Sequence, residues 1–225
     1  MPRPSAQDLA YTHLLTEIAT GRLPAGSRIM PEAMAEALGV SRMPVREALR
    51  QLDAEGFVTI RPNRGAIVTE LTPADVVELF EMRSVLEGLA ARIGAGRATP
   101  PDIEDLDAEV QAMRRAAADP ARWLDRHEAF HDRLAMLAGR PRLAAELRRL
   151  RLAVRPYLQL YAEAHRDPET LGHEHDVIVD ALRHRDAALA ERLVIGHVLA
   201  NAEGIARLLS PGGAAPKSRP LLERG

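Results

Sequence analysis

The chain of 225 residues contains no cysteine. A disulfide framework, Cys-ligated zinc, iron–sulfur clusters and thiol catalysis are therefore excluded together, and any bound metal must be held by His and carboxylate side chains. Aromatic residues make up only 3% of the sequence, and the β-branched residues that fill sheets are sparse. A charge surplus is also missing: Lys+Arg 30 against Asp+Glu 32 leaves −2. Any contact with nucleic acid must then come from local patterning and not from bulk charge. No uninterrupted apolar run approaches membrane-spanning length, and Met1 to Asp8 is polar. Neither membrane insertion nor export is expected, and the cytoplasm is the expected compartment.

What the chain has in abundance is Ala, Leu, Arg and Glu, with 46% hydrophobic and 28% charged residues. These residues sit at the helix-favouring end of the propensity scale and supply enough apolar material for buried cores. The expectation is a mostly α protein. Helical periodicity and punctuation divide it at about Glu70 to Thr72, giving domains over 1–70 and 71–210 and a disordered tail over 211–225.

In the first part, Tyr11, Leu14, Leu15 and Ile18 mark one helix closed by Gly21. A second runs from about Pro31 to Leu38, with Gly39 suited to a left-handed cap. A third has Ser41 as N-cap, Pro44 in its first turn, and Val45, Ala48, Leu49 and Leu52 on one buried face. After Gly56, the runs 57–60 and 65–68 flank Arg61-Pro62-Asn63-Arg64 and read as a hairpin. From Thr72 onward six helices are expected, at roughly 73–97, 101–118, 120–138, 142–165, 168–184 and 186–209, with Pro156 expected to kink the fourth.

On the third helix Arg42, Arg46 and Arg50 recur every four residues, off the apolar face. Two helices joined by a tight Gly-containing turn, the second with arginines near its N-terminus, have the geometry that seats a helix in the DNA major groove. The guanidinium fork suits guanine edges and phosphates. The competing reading is a solvated face paired with Glu47 and Glu55. Arg61 and Arg64 flank the hairpin turn as a wing would require, and Gly65 permits close backbone approach.

The string Gly21-x-Leu23-x-x-Gly26, Leu38-Gly39-Val40-Ser41-Arg42-x-Pro44-Val45-Arg46-Glu47-Ala48-Leu49-x-x-Leu52-x-x-Glu55-Gly56 and Asn63-Arg64-Gly65-x-x-Val68 resembles the winged helix-turn-helix domain of the GntR family of bacterial transcription regulators. The resemblance covers about residues 10–70. It implies that Arg42 and Arg46 reach bases or phosphates, with Ser41, Met43, Pro44 and Arg50 along the recognition helix and Arg64 and Gly65 in the wing. Ala33 and Met43 depart from a common Arg and Thr of the family.

In the second part, His127 and His131 are four apart, so both rings project from one helix face and can chelate one ion. His175 and His197, on the last two helices, can complete such a site inside a bundle. His127-Glu128-Ala129-Phe130-His131 also satisfies H-E-x-x-H, in which two zinc-bound His flank a general-base Glu. No accompanying protease motif is present. Arg83 either pairs with Glu87 at i+4 or clamps a carboxylate. Trp123, Tyr157 and Tyr161 read as core or pocket lining.

Arg83-x-x-x-Glu87, Phe130-His131, Ala138-Gly139, His175 and His197 are similar to the FCD ligand-binding domain of the FadR-like branch, over roughly 75–210. Six helices resemble its VanR-like subgroup. That resemblance implies a divalent metal held by an Asp and three His, with Arg83 beside it for a small organic acid. Here His127 stands where the Asp is expected. A four-His set suits zinc, or nickel, and makes the ion more attractive to an anion; in the other arrangement His127 turns away and Asp125 or water fills the gap. The reading as a whole is no enzyme but a ligand-responsive regulator and homodimer, a repressor of a palindromic operator in double-stranded DNA. The alternatives are a metal sensor with the ion as effector and, remotely, a zinc hydrolase.

Overall fold

The computed structural model describes residues 4–61, 65–164 and 170–210. The chain forms two compact units, Met1–Leu71 and Thr72–Gly225. The Arg64 position, the 62–63 turn, the Asp167-Pro168 start signal, the His173 side chain and the 211–225 tail lie outside the described residues.

The first unit opens with α1 (Ala6–Ala19), started by a capping box between Ser5 and Asp8 and burying Ala10, Leu14, Ile18 and Ala19. The short β1 (Arg28–Ile29) leads into α2 (Pro31–Leu38), which ends on Gly39 at φ 63°, the left-handed conformation glycine adopts without strain. Next, α3 (Arg42–Ala54) turns Val45, Ala48, Leu49 and Leu52 into the core, the four positions read from the sequence. β2 (Val58–Arg61) and β3 (Gly65–Val68) pair antiparallel, Val58 opposite Val68 and Arg61 opposite Gly65. β1 adds to the other edge of β3, giving the order β1-β3-β2. The sequence reading has helix, helix, helix and hairpin but not β1, because a two-residue strand carries no periodicity.

Two side-chain bonds fix α3 within its unit. The Tyr11 hydroxyl on α1 donates to Glu55 Oε2 at 2.6 Å, and Asp53 Oδ1 accepts from the Ile60 amide of β2 at 2.8 Å.

The second unit comprises α4 (Pro73–Ala95), α5 (Pro100–Arg115), α6 (Pro120–Leu137), α7 (Pro141–Ala164), α8 (Thr170–Arg183) and α9 (Ala187–Leu209). Starts follow the sequence signals: Thr72–Asp75 and Thr99–Asp102 form capping boxes, and Asp119 and Asp186 accept from amides three residues on. Proline stands at the start of α4, α5 and α6, where its missing N–H costs nothing. Pro156 does not end α7; buried Leu150 and Val154 precede it and Tyr157 and Leu158 follow on the same face. α4 lies along α9, and Gly88 makes the close approach possible, since a Cβ there would stand 2.7 Å from Ile195 Cγ1. Ala90, Ala135, Ala138 and Leu147 join α4, α6 and α7. Among the described residues no helix is long and apolar enough to cross a membrane.

Candidate functional site

The face of α3 opposite its apolar positions carries Arg42, Met43, Arg46 and Arg50, all exposed, with Pro44 half-buried between them. Ser41 stands at the N-cap in extended conformation, as read from the sequence, but its hydroxyl makes no capping bond. The reason lies three residues on. The N3 position that would donate to an N-cap oxygen is Pro44, which has no N–H. The exposed hydroxyl is thus left for an outside partner, at a helix end whose first-turn amides also lack intrahelical acceptors.

Along the basic stripe, Arg42 has only a 3.9 Å contact with Glu32, both well exposed, and Arg50 is paired with Glu47 at 2.8 Å. The solvated-pair reading therefore applies to Arg50, whereas Arg46 has no ion-pair partner among the described residues. Glu55 is engaged by Tyr11 and Gln51. Gly65, at φ 79°, has a further structural reason to be glycine: a Cβ would lie 2.5 Å from the Ile29 carbonyl of β1.

In the helical unit, α6 supplies His127 and His131, α8 supplies His175 and α9 supplies His197, all four buried and with one ring nitrogen each within 4.8 Å of the others. His127 Nε2 lies 3.2 Å from His131 Nε2 and 3.4 Å from His197 Nε2. Two carboxylates hold the outer ring nitrogens: Glu87 Oε2 on α4 is 2.7 Å from His131 Nδ1, and Glu174 Oε2 on α8 is 2.7 Å from His197 Nδ1. The Glu174 contact is a hydrogen bond, which fixes the His197 tautomer and aims its opposite nitrogen inward, while the Glu87 contact is a close charge–imidazole approach outside hydrogen-bond geometry. Trp123 is buried and stacks on His127 at 4.9 Å, so core and site lining are here the same role; Tyr157 is core.

Burial, reinforced by neighbouring histidines, pushes the pKa values of His127 and His175 well below the usual imidazole range. Burial also takes His131 down to about 4, against the pull of Glu87. These three rings are neutral near pH 7, the form that ligates metal. Both nitrogens of His175 and Nδ1 of His127 are buried without a hydrogen-bond partner. An orphaned buried lone pair is costly, and converging neutral imidazoles are the donor set of zinc or nickel. The four residues fit such an ion. Asp125, by contrast, is exposed and paired with Arg155, so His127, not Asp125, stands in the cluster.

Arg83 is 1% exposed, stacked 4.6 Å over Phe80, and donates to Glu87 Oε1 from Nε at 3.1 Å and Nη2 at 2.9 Å, while Nη1 has no partner. The ion pair of the sequence reading is thus formed, with one guanidinium nitrogen left without an acceptor. Burial alone would raise the Glu87 pKa, but Arg83 foremost, with His131 and Arg151, holds it well below the usual carboxylate range. Arg151 on α7, fully buried, is a functional candidate the sequence reading missed. Its signal was an arginine inside the apolar stripe of Leu147, Leu150 and Val154. Glu174 was missed as well, since nothing local marks a half-exposed acid as a histidine's partner.

The chain thus combines a winged three-helix unit bearing an exposed basic helix with a helical unit holding an interior histidine cluster. Residues 6–68 match "Bacterial regulatory proteins, gntR family" and residues 78–200 match "FCD domain". The chain is 33% identical over 189 residues to the "Probable D-xylose utilization operon transcriptional repressor" of Paenarthrobacter nicotinovorans, the match covering 83% of each chain. An HTH-type transcriptional regulator of Mycobacterium tuberculosis is 36% identical over 110 residues, and that match spans 49% of this chain and 45% of the relative. Among solved structures, E. coli McbR/YncC shares the fold at a TM-score of 0.79 with 22% identity, over 92% of this chain and 99% of that one. A GntR regulator from Rhodococcus sp. RHA1 has a TM-score of 0.74 and 25% identity, over 90% and 98%. The chain belongs to the GntR family of bacterial transcriptional regulators, with an FCD domain as its second unit. The family is one of regulators and not of enzymes, and the H-E-x-x-H string on α6 is the first half of a histidine cluster.

Proposed function

We propose that the protein is a cytoplasmic repressor that binds a palindromic operator as a homodimer, and that a small carboxylate bound beside a His-ligated divalent metal, zinc or nickel, alters its DNA affinity. The observation that carries the reading is the side-chain chain His131–Glu87–Arg83, in which one buried carboxylate touches a candidate metal ligand and a guanidinium with a spare donor.

In this reading Ser41, Arg42, Met43, Pro44 and Arg46 present the DNA-facing side of α3, Arg50 supports it, and Arg64 and Gly65 belong to the wing. Ser41 Oγ and the first-turn amides suit a phosphate, and Arg46 suits a base edge. Dimer symmetry matches operator symmetry. In the helical unit His127, His131, His175 and His197 would hold the ion, which supplies a Lewis-acidic point of attachment for an effector oxygen. Glu87 and Glu174 orient the rings, and Arg83 Nη1 takes part of the effector's charge. The effector acts only through its different affinities for the two DNA-binding states. The spare guanidinium donor favours an organic acid over the ion alone as effector.

Two measurements test this. Arg46→Ala is expected to weaken specific operator binding by about 1–3 kcal/mol in a gel-shift titration, and unchanged affinity would remove Arg46 from the interface. His175→Ala is expected to lower zinc affinity by more than the roughly 10–100-fold that loss of an outer contact costs. Elemental analysis after dialysis reads this directly, and full retention of metal would refute the centre.

A further inference from the structure

From the buried arginines we infer that the effector is a short dicarboxylate, its first carboxylate taken by Arg83 beside the histidine centre and its second by Arg151. This rests on the carboxylate-effector reading above and narrows it to a dianion.

Arg151 lies on α7 among Leu147, Leu150, Val154 and Leu158 and is 1% exposed. A guanidinium in such a stripe is expensive unless its donors are met. They are met only in part. Nη2 reaches Asp132, itself nearly half exposed. Nη1 is 4.0 Å from Glu87 Oε1, beyond hydrogen-bonding distance, and that oxygen already accepts twice from Arg83. Nε and Nη1 of Arg151 and Nη1 of Arg83 therefore end without acceptors, three guanidinium nitrogens on two helices sharing one fully buried carboxylate. Glu128 on α6 is within electrostatic range of both arginines but hydrogen-bonds to neither.

Three guanidinium nitrogens thus point into the interior unmet, although Glu87 Oε2 and Glu128 Oε1 lie buried nearby without hydrogen-bond partners of their own, and unmet charged donors of this kind are what a bound anion satisfies. Because Glu87 touches His131 on one oxygen and Arg83 on the other, this region adjoins the histidine centre. A monocarboxylate with one oxygen on the cation and the other on Arg83 has both oxygens committed there and leaves Arg151 as it is. A second carboxylate two or three carbons away satisfies it.

Isothermal titration of the zinc-loaded full chain with matched pairs, malonate against propionate and succinate against butyrate, tests the inference. At least one dicarboxylate is expected to bind tenfold or more tightly than its monocarboxylate partner. Arg151→Met is expected to erase that advantage while leaving zinc content and monocarboxylate affinity unchanged. Should Arg151→Met fail to fold, the selectivity of the unmodified protein still decides. Equal binding of mono- and dicarboxylates overturns the dianion inference and leaves the carboxylate-effector reading standing, whereas no binding of any of the four acids overturns both.

Discussion

Glu87→Gln is expected to destabilise the helical unit by about 3–5 kcal/mol, the usual result of removing one partner from a buried charge cluster. The substitution keeps the side chain's shape but turns one of its two acceptor oxygens into an NH2 donor and removes the charge that Arg83 and Arg151, each 1% exposed, share. His131 would also lose the anion at its Nδ1, so zinc affinity is expected to fall roughly 10–100-fold. Glu47→Gln is the control. It breaks the exposed pair with Arg50 and should change stability by less than about 1 kcal/mol. Denaturant titration of both variants reads the difference, and equal small effects would mean that Glu87 does not hold the arginines.

Acid is expected to unfold the metal-free protein far more readily than the metal-loaded one. The folded-state pKa values of His127, His131 and His175 lie below the unfolded reference of 6.5, because burial disfavours the imidazolium. Below that pH the unfolded chain takes up protons the folded chain cannot, so stability present above pH 6.5 is lost as pH falls. For His131 alone, a drop to about 4 corresponds to about 3 kcal/mol across that window. Glu87, whose pKa is depressed, acts in the same direction below the ordinary carboxylate range. Thermal melts of chelator-treated protein from pH 7.5 to 5 should therefore show a steep fall in Tm. Zinc binds the neutral rings of the folded state and should resist the fall until protons displace it. Equal Tm at both pH values without metal would contradict the neutral buried histidines.

The sequence showed most of the helices because their ends are written locally. Thr72, Thr99 and Asp119 each precede a proline, and Gly39 closes α2 in the left-handed conformation that glycine favours. It did not show β1, whose two residues are a strand only because β3 offers an edge. Ser41 was legible as the residue before a helix, and the consequence of Pro44 for its cap was also in the sequence, unread. The four histidines were legible from the i, i+4 spacing on α6 and from their placement on later helices. The carboxylates and the second arginine were not. Whether Glu174, Glu87 or Arg151 faces solvent or a histidine depends on which helix packs against it, and no local pattern records that. Arg148 and Arg149 stand beside Arg151 in the chain and remain at least partly exposed; only the register of α7 separates them.

In the proposed mechanism an operator-binding unit is governed by a metal-centred anion site. The most direct measurement is selection of fragments of the source genome by the purified protein, in zinc-loaded and chelator-stripped forms, with and without succinate or malonate. Enrichment of one palindromic sequence is expected, with an affinity that differs between the dicarboxylate-bound and dicarboxylate-free forms of the zinc-loaded protein. Enrichment of no sequence in any form would contradict the DNA-binding reading, and enrichment indifferent to metal and acid alike would contradict the control assigned to the histidine centre.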